Sequence, residues 1–311
     1  MIRFSILFLP FVVCALEFKV ATYNVENLFD AKKEGNEYQE YTPGPKHGWD
    51  EAMMEKKIAN LARVIKDINA DVIALAEVEN KEVLEKLNVA LGQKAYPHLF
   101  YPSKKPRVSI ETALLSRFPI EKSTSIVMKD QPRGIHKVSL KIEQKSLDVY
   151  INHWPAHREK EEERLVYATT LHNALLHEKS KEFIVLGDFN SPLNVEKDDW
   201  GLAFVNVLKT GSDTASLYNL WYELPQEKRY SHTYGKKRSA LDHIVIAKTL
   251  SDGKGIEYKK GTFTPFIVPY MLESDGVPKR WQISDKGKGK HLGEGFSDHL
   301  PLTAIFHTIS E

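Results

Sequence analysis

The sequence predicts a mixed-sheet protein of the α/β or α+β kind, and three observations predict it. Short apolar runs such as Phe183–Leu186 and Val72–Ala76 have the pattern of strands buried on both faces. Strand and helix patterns alternate over the first third of the chain, as crossover connections require. Strand patterns then follow one another through the middle with only Pro- and Gly-containing punctuation between them, so the sheets are expected to mix parallel and antiparallel neighbours.

Taken in order, residues 1–15 are set aside as a signal peptide. Arg3 precedes the uncharged apolar run Phe4–Cys14, and Val13 and Ala15 fit a signal-peptidase site. The run is too short to span a bilayer in the mature protein. The expectation is therefore an exported protein, periplasmic or secreted. A lipoprotein signal with Cys14 modified is the alternative, and Val13 argues against it by standing where such sites carry a small residue. Cys14 is the only cysteine, so the mature chain has no disulfide and depends on its core. Residues 16–311 show no internal repeat, low-complexity tract or linker and read as a single domain. A net charge of +1 and 42% hydrophobic residues are ordinary for a globular protein and point to no polyanionic or membrane partner.

Phe18–Tyr23 reads as a strand ending at Asn24, and the polar stretch Asp30–Trp49 as a long surface loop. Asp50 is a plausible N-cap for a helix with Met54, Ile58, Leu61, Ile65 and Ile68 on one face. Asp71–Glu77 is a buried strand closed by a carboxylate. Asn80 caps a second helix carrying Val83, Leu84, Leu87 and Leu91, stopped by Gly92. Glu111–Arg117, Lys137–Ile142 and Leu147–His153 read as strands, and a helix from about Glu159 to His177 leads back to the Phe183 strand. Leu241–Ile246 and the closing Phe296–Pro301 complete the set of expected strands.

The polar residues at the ends of these runs are Asn24, Glu77, Glu111, His153, Asp188, Asn190, Asp242, Asp298 and His299. Each has a structural reading of its own: Asp188 and Asn190 an Asx-type turn closed by Pro192, His153 a satisfied core histidine, Asp298 a cap. Their shared position is the stronger signal, because the C-terminal ends of strands gather at one edge of a sheet. Asp188 and Asn190, two residues apart in an extended segment, project to the same side. No Ser or Cys stands in a nucleophile elbow, no His-Glu-x-x-His is present, and no Gly-rich phosphate loop occurs. Oxygen ligands such as Glu77 and Asp298, with the Asn24 amide, suit a hard cation such as Mg²⁺. Two histidines that titrate near neutrality can handle protons or grip a phosphate oxygen. Together these groups describe hydrolysis of a phosphate ester by water.

Six motifs in sequence order carry a resemblance: Thr22-Tyr-Asn-Val-Glu-Asn-Leu-Phe29, Leu75-Ala-Glu-Val-Glu79, Asn152-His-Trp-Pro155, Gly187-Asp-Phe-Asn190, Leu241-Asp-His243 and Phe296-Ser-Asp-His-Leu-Pro301. The set resembles the endonuclease/exonuclease/phosphatase superfamily, the deoxyribonuclease I and exonuclease III group, and within it an exported bacterial nuclease-like branch. The resemblance implies a four-layer α/β sandwich, two mixed β-sheets packed face to face with helices outside. It implies that Glu77 is the principal Mg²⁺ ligand (Mn²⁺ or Ca²⁺ being alternatives), with Asn24 and Asp298 completing or orienting the metal shell. Asp188 and Asn190 would position and activate the attacking water, and Asp242 would hydrogen-bond His299. His153 would face the phosphate from the other side, supported by Glu111, and Arg133 would grip the substrate phosphate.

The sequence also departs from its relatives. Ser191-Pro-Leu193 does not fit the phosphoinositide 5-phosphatase branch, and Ser109 stands about where some nucleases carry an aromatic minor-groove wedge. The expected partner is nucleic acid, DNA foremost, with basic loops at Lys104–Arg107, Lys228-Arg229, Lys236–Arg238 and Lys286–Lys290 available for backbone contacts. A phospholipid substrate, as in sphingomyelinases of the superfamily, would need an apolar loop, and Phe266–Leu272 in the segment Gly261–Gly295 is the candidate. A binding protein that has lost catalysis would usually lack one of the metal or histidine positions, and none is missing.

Overall fold

The structure is a computed structural model and describes residues 15–92, 95–102, 109–156, 161–178, 180, 182–193, 217–235 and 237–309. Met1–Cys14 of the proposed signal segment 1–15, the loop Lys104–Arg107 and Lys236 lie outside the described residues.

The strand patterns assemble into two large sheets. Strands β1 (Glu17–Leu28), β2 (Val72–Val78), β3 (His98–Phe100), β4 (Glu111–Ser116), β13 (Ile256–Tyr258) and β15 (Leu302–Thr308) form the first in the order β13-β15-β1-β2-β4-β3, with β14 (Thr264–Pro265) also on β15. The second runs β5-β6-β7-β8-β12-β9, from β5 (Ile120–Ile126), β6 (Ile135–Ile142), β7 (Lys145–His153), β8 (Phe183–Asp188), β9 (Leu217–Asn219) and β12 (Asp242–Ala247). A small hairpin, β10 (His232–Tyr234) with β11 (Lys237–Ser239), stands apart.

Strand alternation decides the layers. Val20, Val72, Ala74, Leu302 and Ala304 of the first sheet share one core with Val149, Ile151, Ile184, Leu186, Ile244 and Ile246 of the second. The intervening residues Ala21, Tyr23, Ile73 and Leu75 face outward and meet Met54, Ile58, Leu61 and Ile65 of helix α1 (Glu51–Ile68) and Leu84 and Leu87 of α2 (Lys81–Leu91). On the opposite side Tyr150, Val185 and Val245 pack against Tyr167, Ala168 and Leu171 of α3 (Glu161–Leu176). The result is a four-layer α/β sandwich with mixed sheets, which explains why the central strands are apolar without a break. Asp50 and Asn80 cap their helices by accepting from Met53 N and Val83 N.

Three expectations are corrected. Asp30–Trp49 is not a bare surface loop: Tyr41 and Trp49 are buried, and Tyr41 stacks on Phe29 at 4.7 Å. Those aromatics are irregularly spaced, so no periodicity marks them. Phe296–Pro301 is an approach segment, and the closing strand begins at Leu302. Ser297 Oγ there donates to Asn24 O at 2.7 Å instead of joining a ladder, and Pro301 has no N–H to donate. Finally, the polar cluster does not sit only at C-terminal strand ends. β4, β12 and β15 run antiparallel to their neighbours and so contribute Glu111, Asp242 and Asp298-His299 from their N-terminal ends. Both kinds of end meet at the same edge of the sandwich.

Candidate active site

Asp188 is placed by a close approach between strands. Gly187 pairs with Asn152, and a Cβ on Gly187 would meet Asn152 O at 2.0 Å. With φ +129° and no room for a side chain, only glycine suits the position. The next register step pairs Asp188 with His153. Asn152 holds this strand end by donating to Tyr150 O and Leu186 O, and it accepts from Trp154 Nε1 at 3.1 Å. The Asn-His-Trp motif is therefore a frame around His153.

Neighbouring strands are bent toward the same point. The β1–β2 register shifts between Asn24 and Leu28, and the β2–β4 register between Leu75 and Val78. Glu26, Asn27, Glu77 and Asn190 all have left-handed backbone, with φ from 47° to 69°. Such conformations cost energy outside glycine and concentrate where surrounding structure imposes them. The bulges carry Asn24 and Glu77 to the cleft. Asn24 Nδ2 donates to Glu77 Oε1 and to Asp188 Oδ2, each at 3.0 Å, while its Oδ1 accepts from Glu26 N. Glu77 Oε2 accepts from Asn27 N at 2.9 Å and Asp188 Oδ1 from Asn190 N at 2.8 Å.

Two histidines face Asp188. His299 Nε2 and His153 Nε2 each lie 3.9 Å from Asp188 Oδ2, and His153 Nε2 is also 3.8 Å from Glu77 Oε1. Asp242 and His299, 57 positions apart, meet through Asp242 Oδ2 and His299 Nδ1 at 2.7 Å. Burial works against a charged His299, but the carboxylates of Asp242 and Asp188 raise its pKa well above the ordinary value. His153 has no such support: burial, then the charge of Arg133, holds its pKa well below the ordinary value, and its buried Nδ1 has no hydrogen-bond partner among the described residues. Burial, then the Asp242 charge, raises Asp188 to about 7.

Glu111 departs from the expectation that it supports His153. Its Oε2 lies 3.0 Å from His136 Nε2, and it also accepts from Thr112 N and weakly from Gly134 N. The facing residue on β6 takes the carboxylate, while the His153 ring turns its Nε2 toward Glu77 and Asp188. Arg133 lies beside His153, with Nε donating to His153 O at 3.0 Å and Nη2 to Trp154 O at 3.1 Å. It lines a cleft of about 690 Å³ with Glu77, His153, Asn27 and Glu163. Asn190 Nδ2 donates to Trp154 O, so its amide also braces the Asn-His-Trp frame. A second cavity of about 680 Å³, between α2 and β3, holds none of these groups.

The sequence reading missed Glu26, His232 and Arg280. Glu26 Oε2 accepts from Asp298 N at 3.0 Å and Trp281 N at 2.9 Å, and its Oε1 accepts from Arg280 Nε at 2.9 Å. His232 Nε2 is 3.8 Å from Asp298 Oδ2, its ring 4.7 Å from that of His299. Burial, then the His299 charge, lowers its pKa to about 4. Behind this edge Lys57 is fully buried, its Nζ without a hydrogen bond among the described residues and 4.7 Å above the Trp281 ring. Its signal was a charge on the apolar face of α1.

The donor set fits a hard divalent cation. Burial, then the charge of Asp298, raises the Glu77 pKa, because two neighbouring carboxylates oppose each other's ionisation and a cation between them would relieve it. Burial opposes ionisation of Asp298 as well, yet the charge of His299, then that of Arg280, holds it below the ordinary range. Glu77 and Asp298 would hold the ion. Asn24 steadies Glu77 and Asp188 through its NH₂ group.

A sequence profile described as the Endonuclease/Exonuclease/phosphatase family matches residues 19–308. No curated protein matches the chain by sequence. Among solved structures the chain is similar to D. rerio TDP2 complexed with single strand DNA product, at 16% identity and a TM-score of 0.56, over 94% of this chain and 99% of that one. It is similar to an endonuclease/exonuclease/phosphatase family protein from Bacteroides thetaiotaomicron, at 14% identity and a TM-score of 0.59, over 96% and 100%. It is also similar to ANGEL2, a 2',3'-cyclic phosphatase, at 13% identity and a TM-score of 0.59, over 95% and 96%. At these identities the likeness is one of fold.

Proposed function

The chain belongs to the endonuclease/exonuclease/phosphatase family, and we propose that it is an exported, metal-dependent nuclease that hydrolyses phosphodiester bonds by attack of water. The observation that carries this reading is the placement of Asp188 Oδ2 at 3.9 Å from two imidazoles of opposite charge preference. Asp188, raised to about 7 by burial, is a carboxylate suited to taking a proton from water near neutral pH. His299, kept protonated by Asp242, presents an N–H to charge developing on a phosphoryl oxygen. His153, neutral, offers a hydrogen bond from the other side, and Arg133 adds a fixed positive charge beside it. A bound Mg²⁺ (or Mn²⁺ or Ca²⁺) would polarise a phosphoryl oxygen.

Nucleic acid, with DNA foremost, is favoured over phospholipid. The D. rerio TDP2 structure of similar fold holds single-stranded DNA product. Most of the apolar loop a membrane substrate would need is engaged elsewhere: Met271 is buried, Phe266, Tyr270 and Leu272 are partly buried against the core beneath α1, and Ile267 alone of its large apolar side chains is exposed. Export rests on the N-terminal apolar run alone. The test is incubation of the mature protein with supercoiled plasmid, linear DNA, RNA and sphingomyelin liposomes, in Mg²⁺ or EDTA. The expected result is cleavage of nucleic acid in Mg²⁺ and none in EDTA. Sphingomyelin hydrolysis with intact nucleic acid would contradict the reading.

A further inference from the structure

The segment Gly261–Gly295 has a role beyond packing. Its return is bound to the residues just before Asp298: Gln282 N donates to Glu294 O at 2.9 Å and Phe296 N to Lys279 O at 2.8 Å. Gly295 permits the approach, since a Cβ there would meet Arg280 O at 1.8 Å. The Arg280 backbone is thereby fixed beside the segment that carries Asp298. Its side chain is fixed as well. Nε and Nη2 donate to Glu26 Oε1, at 2.9 and 2.5 Å, and Nη2 lies 3.7 Å from Asp298 Oδ2.

The two partners differ in exposure. The Glu26 side chain is 6% exposed and that of Arg280 is 60%. A guanidinium carries five N–H donors in a rigid fork, and Arg280 shows hydrogen bonds only from its Nε–Nη2 edge among the described residues. The Nη1 edge points out of the ion pair. A buried carboxylate that fixes one edge of an exposed arginine leaves the other edge preorganised for an anion. Neutralising Glu26 alone would not require a guanidinium this exposed.

We infer that Arg280 is a second phosphate-binding residue, which grips a backbone phosphate adjacent to the scissile one on the Asp298 side of the cleft. Arg133 occupies the His153 side, so a strand crossing the site is held on both sides of the bond that breaks. The substrate class is then an oligonucleotide with phosphates flanking the cleavage point, not a small phosphodiester. This inference rests on the nuclease reading.

The test uses Arg280→Gln and Arg280→Lys in the mature protein. Binding of a fluorescent single-stranded 12-mer is measured in EDTA across a salt series. Hydrolysis of that 12-mer and of bis(p-nitrophenyl) phosphate, which has no flanking phosphates, is measured in Mg²⁺. Loss of one phosphate contact should reduce the salt slope of binding by about 0.7 in Arg280→Gln. The kcat/KM for the 12-mer should fall at least tenfold further than that for the small diester. Arg280→Lys keeps the charge but not the planar fork, so it should retain most of the salt slope while its kcat/KM still falls further on the 12-mer than on the small diester, and that difference carries the test if Arg280→Gln does not fold. Equal losses on both substrates with an unchanged salt slope would make Arg280 a positioning residue for Glu26 and Asp298 and overturn the inference. A wild-type protein that cleaves the small diester but not the 12-mer would sink the nuclease reading itself.

Discussion

His299 and His153 reach Asp188 from opposite sheets at the same distance, 3.9 Å, yet they sit in different chemical states. His299 precedes β15 of the first sheet and has Asp242 on its Nδ1, 2.7 Å away. His153 ends β7 of the second sheet with its Nδ1 unpartnered among the described residues and Arg133 nearby. Burial disfavours the cation in both. The difference lies in the partner, which for His299 outweighs burial and for His153 adds to it. Equal distance from a shared carboxylate therefore says little about role; the group behind the ring decides it.

The largest expected effect removes what both histidines serve. Glu77→Gln keeps the side chain's shape but removes the charge that would hold a cation, so Mg²⁺-dependent hydrolysis should fall by roughly a thousandfold or more on the scale of an active-site electrostatic group. The melting temperature in EDTA should change by only a few degrees, since Gln keeps one acceptor oxygen and loses one of the two hydrogen bonds that Glu77 accepts from Asn27 N and Asn24 Nδ2. The rise in melting temperature on adding Mg²⁺ should disappear. Near-normal turnover at limiting Mg²⁺ would remove Glu77 from the metal site.

Next come the histidines themselves. His299→Ala should lower turnover by roughly a hundredfold or more, as expected of a proton-handling group. His153→Ala, losing a neutral hydrogen bond, should cost nearer tenfold (about 1.4 kcal/mol). The reverse order would show that the group behind each ring does not set its role.

Smaller effects bear on the same contrast. Arg133→Ala should weaken oligonucleotide binding across sequences and reduce the salt slope by a little under 1. An unchanged slope would return Arg133 to bracing the His153 and Trp154 carbonyls. A third histidine serves as the structural control. His243 is neutral with both nitrogens satisfied, Nε2 donating to Ser191 O and Nδ1 accepting from Asn219 Nδ2, and burial lowers its pKa to about 4. The unfolded chain, with an ordinary value near 6.5, binds this proton first as pH falls. The stability that neutral His243 contributes is therefore complete above about pH 6.5 and is lost progressively down to about 4, by at most ~3 kcal/mol. In chemical denaturation at pH 7 and pH 4.5, the wild type should lose more stability than His243→Gln. Parallel losses would show that His243 titrates normally.

Much of this site was legible because apolar runs mark buried strands and a polar residue at the end of such a run has few reasons to be there. Asp188, Asp242, Glu77 and His299 stood out that way, and the fold brought them to one edge. What the runs could not show was partner choice. Glu111 meets His136 through packing of the two sheets, a relation with no trace in local sequence. His232 lies on a three-residue strand without a hydrophobic pattern, and Arg280 lies in a segment that has almost no regular structure. Glu26 was inside a recognised motif, but its left-handed backbone and its bonds to residues 254 to 272 positions away belong to tertiary structure.

Asp242 and His299 act as a unit in this reading, whereas His153 stands alone. A double-mutant cycle on 12-mer hydrolysis tests it most directly, with Asp242→Asn and His299→Gln chosen to limit unpaired buried charge, which would cost about 3–5 kcal/mol. Melting temperatures verify that each variant is folded. Each single variant should lose roughly a hundredfold, and the double should be little worse than the poorer single, because residues that act together are strongly non-additive. A parallel cycle pairing His153→Gln with His299→Gln should show nearly multiplicative losses. If the Asp242 and His299 losses multiply instead, the two residues act independently and the dyad is wrong.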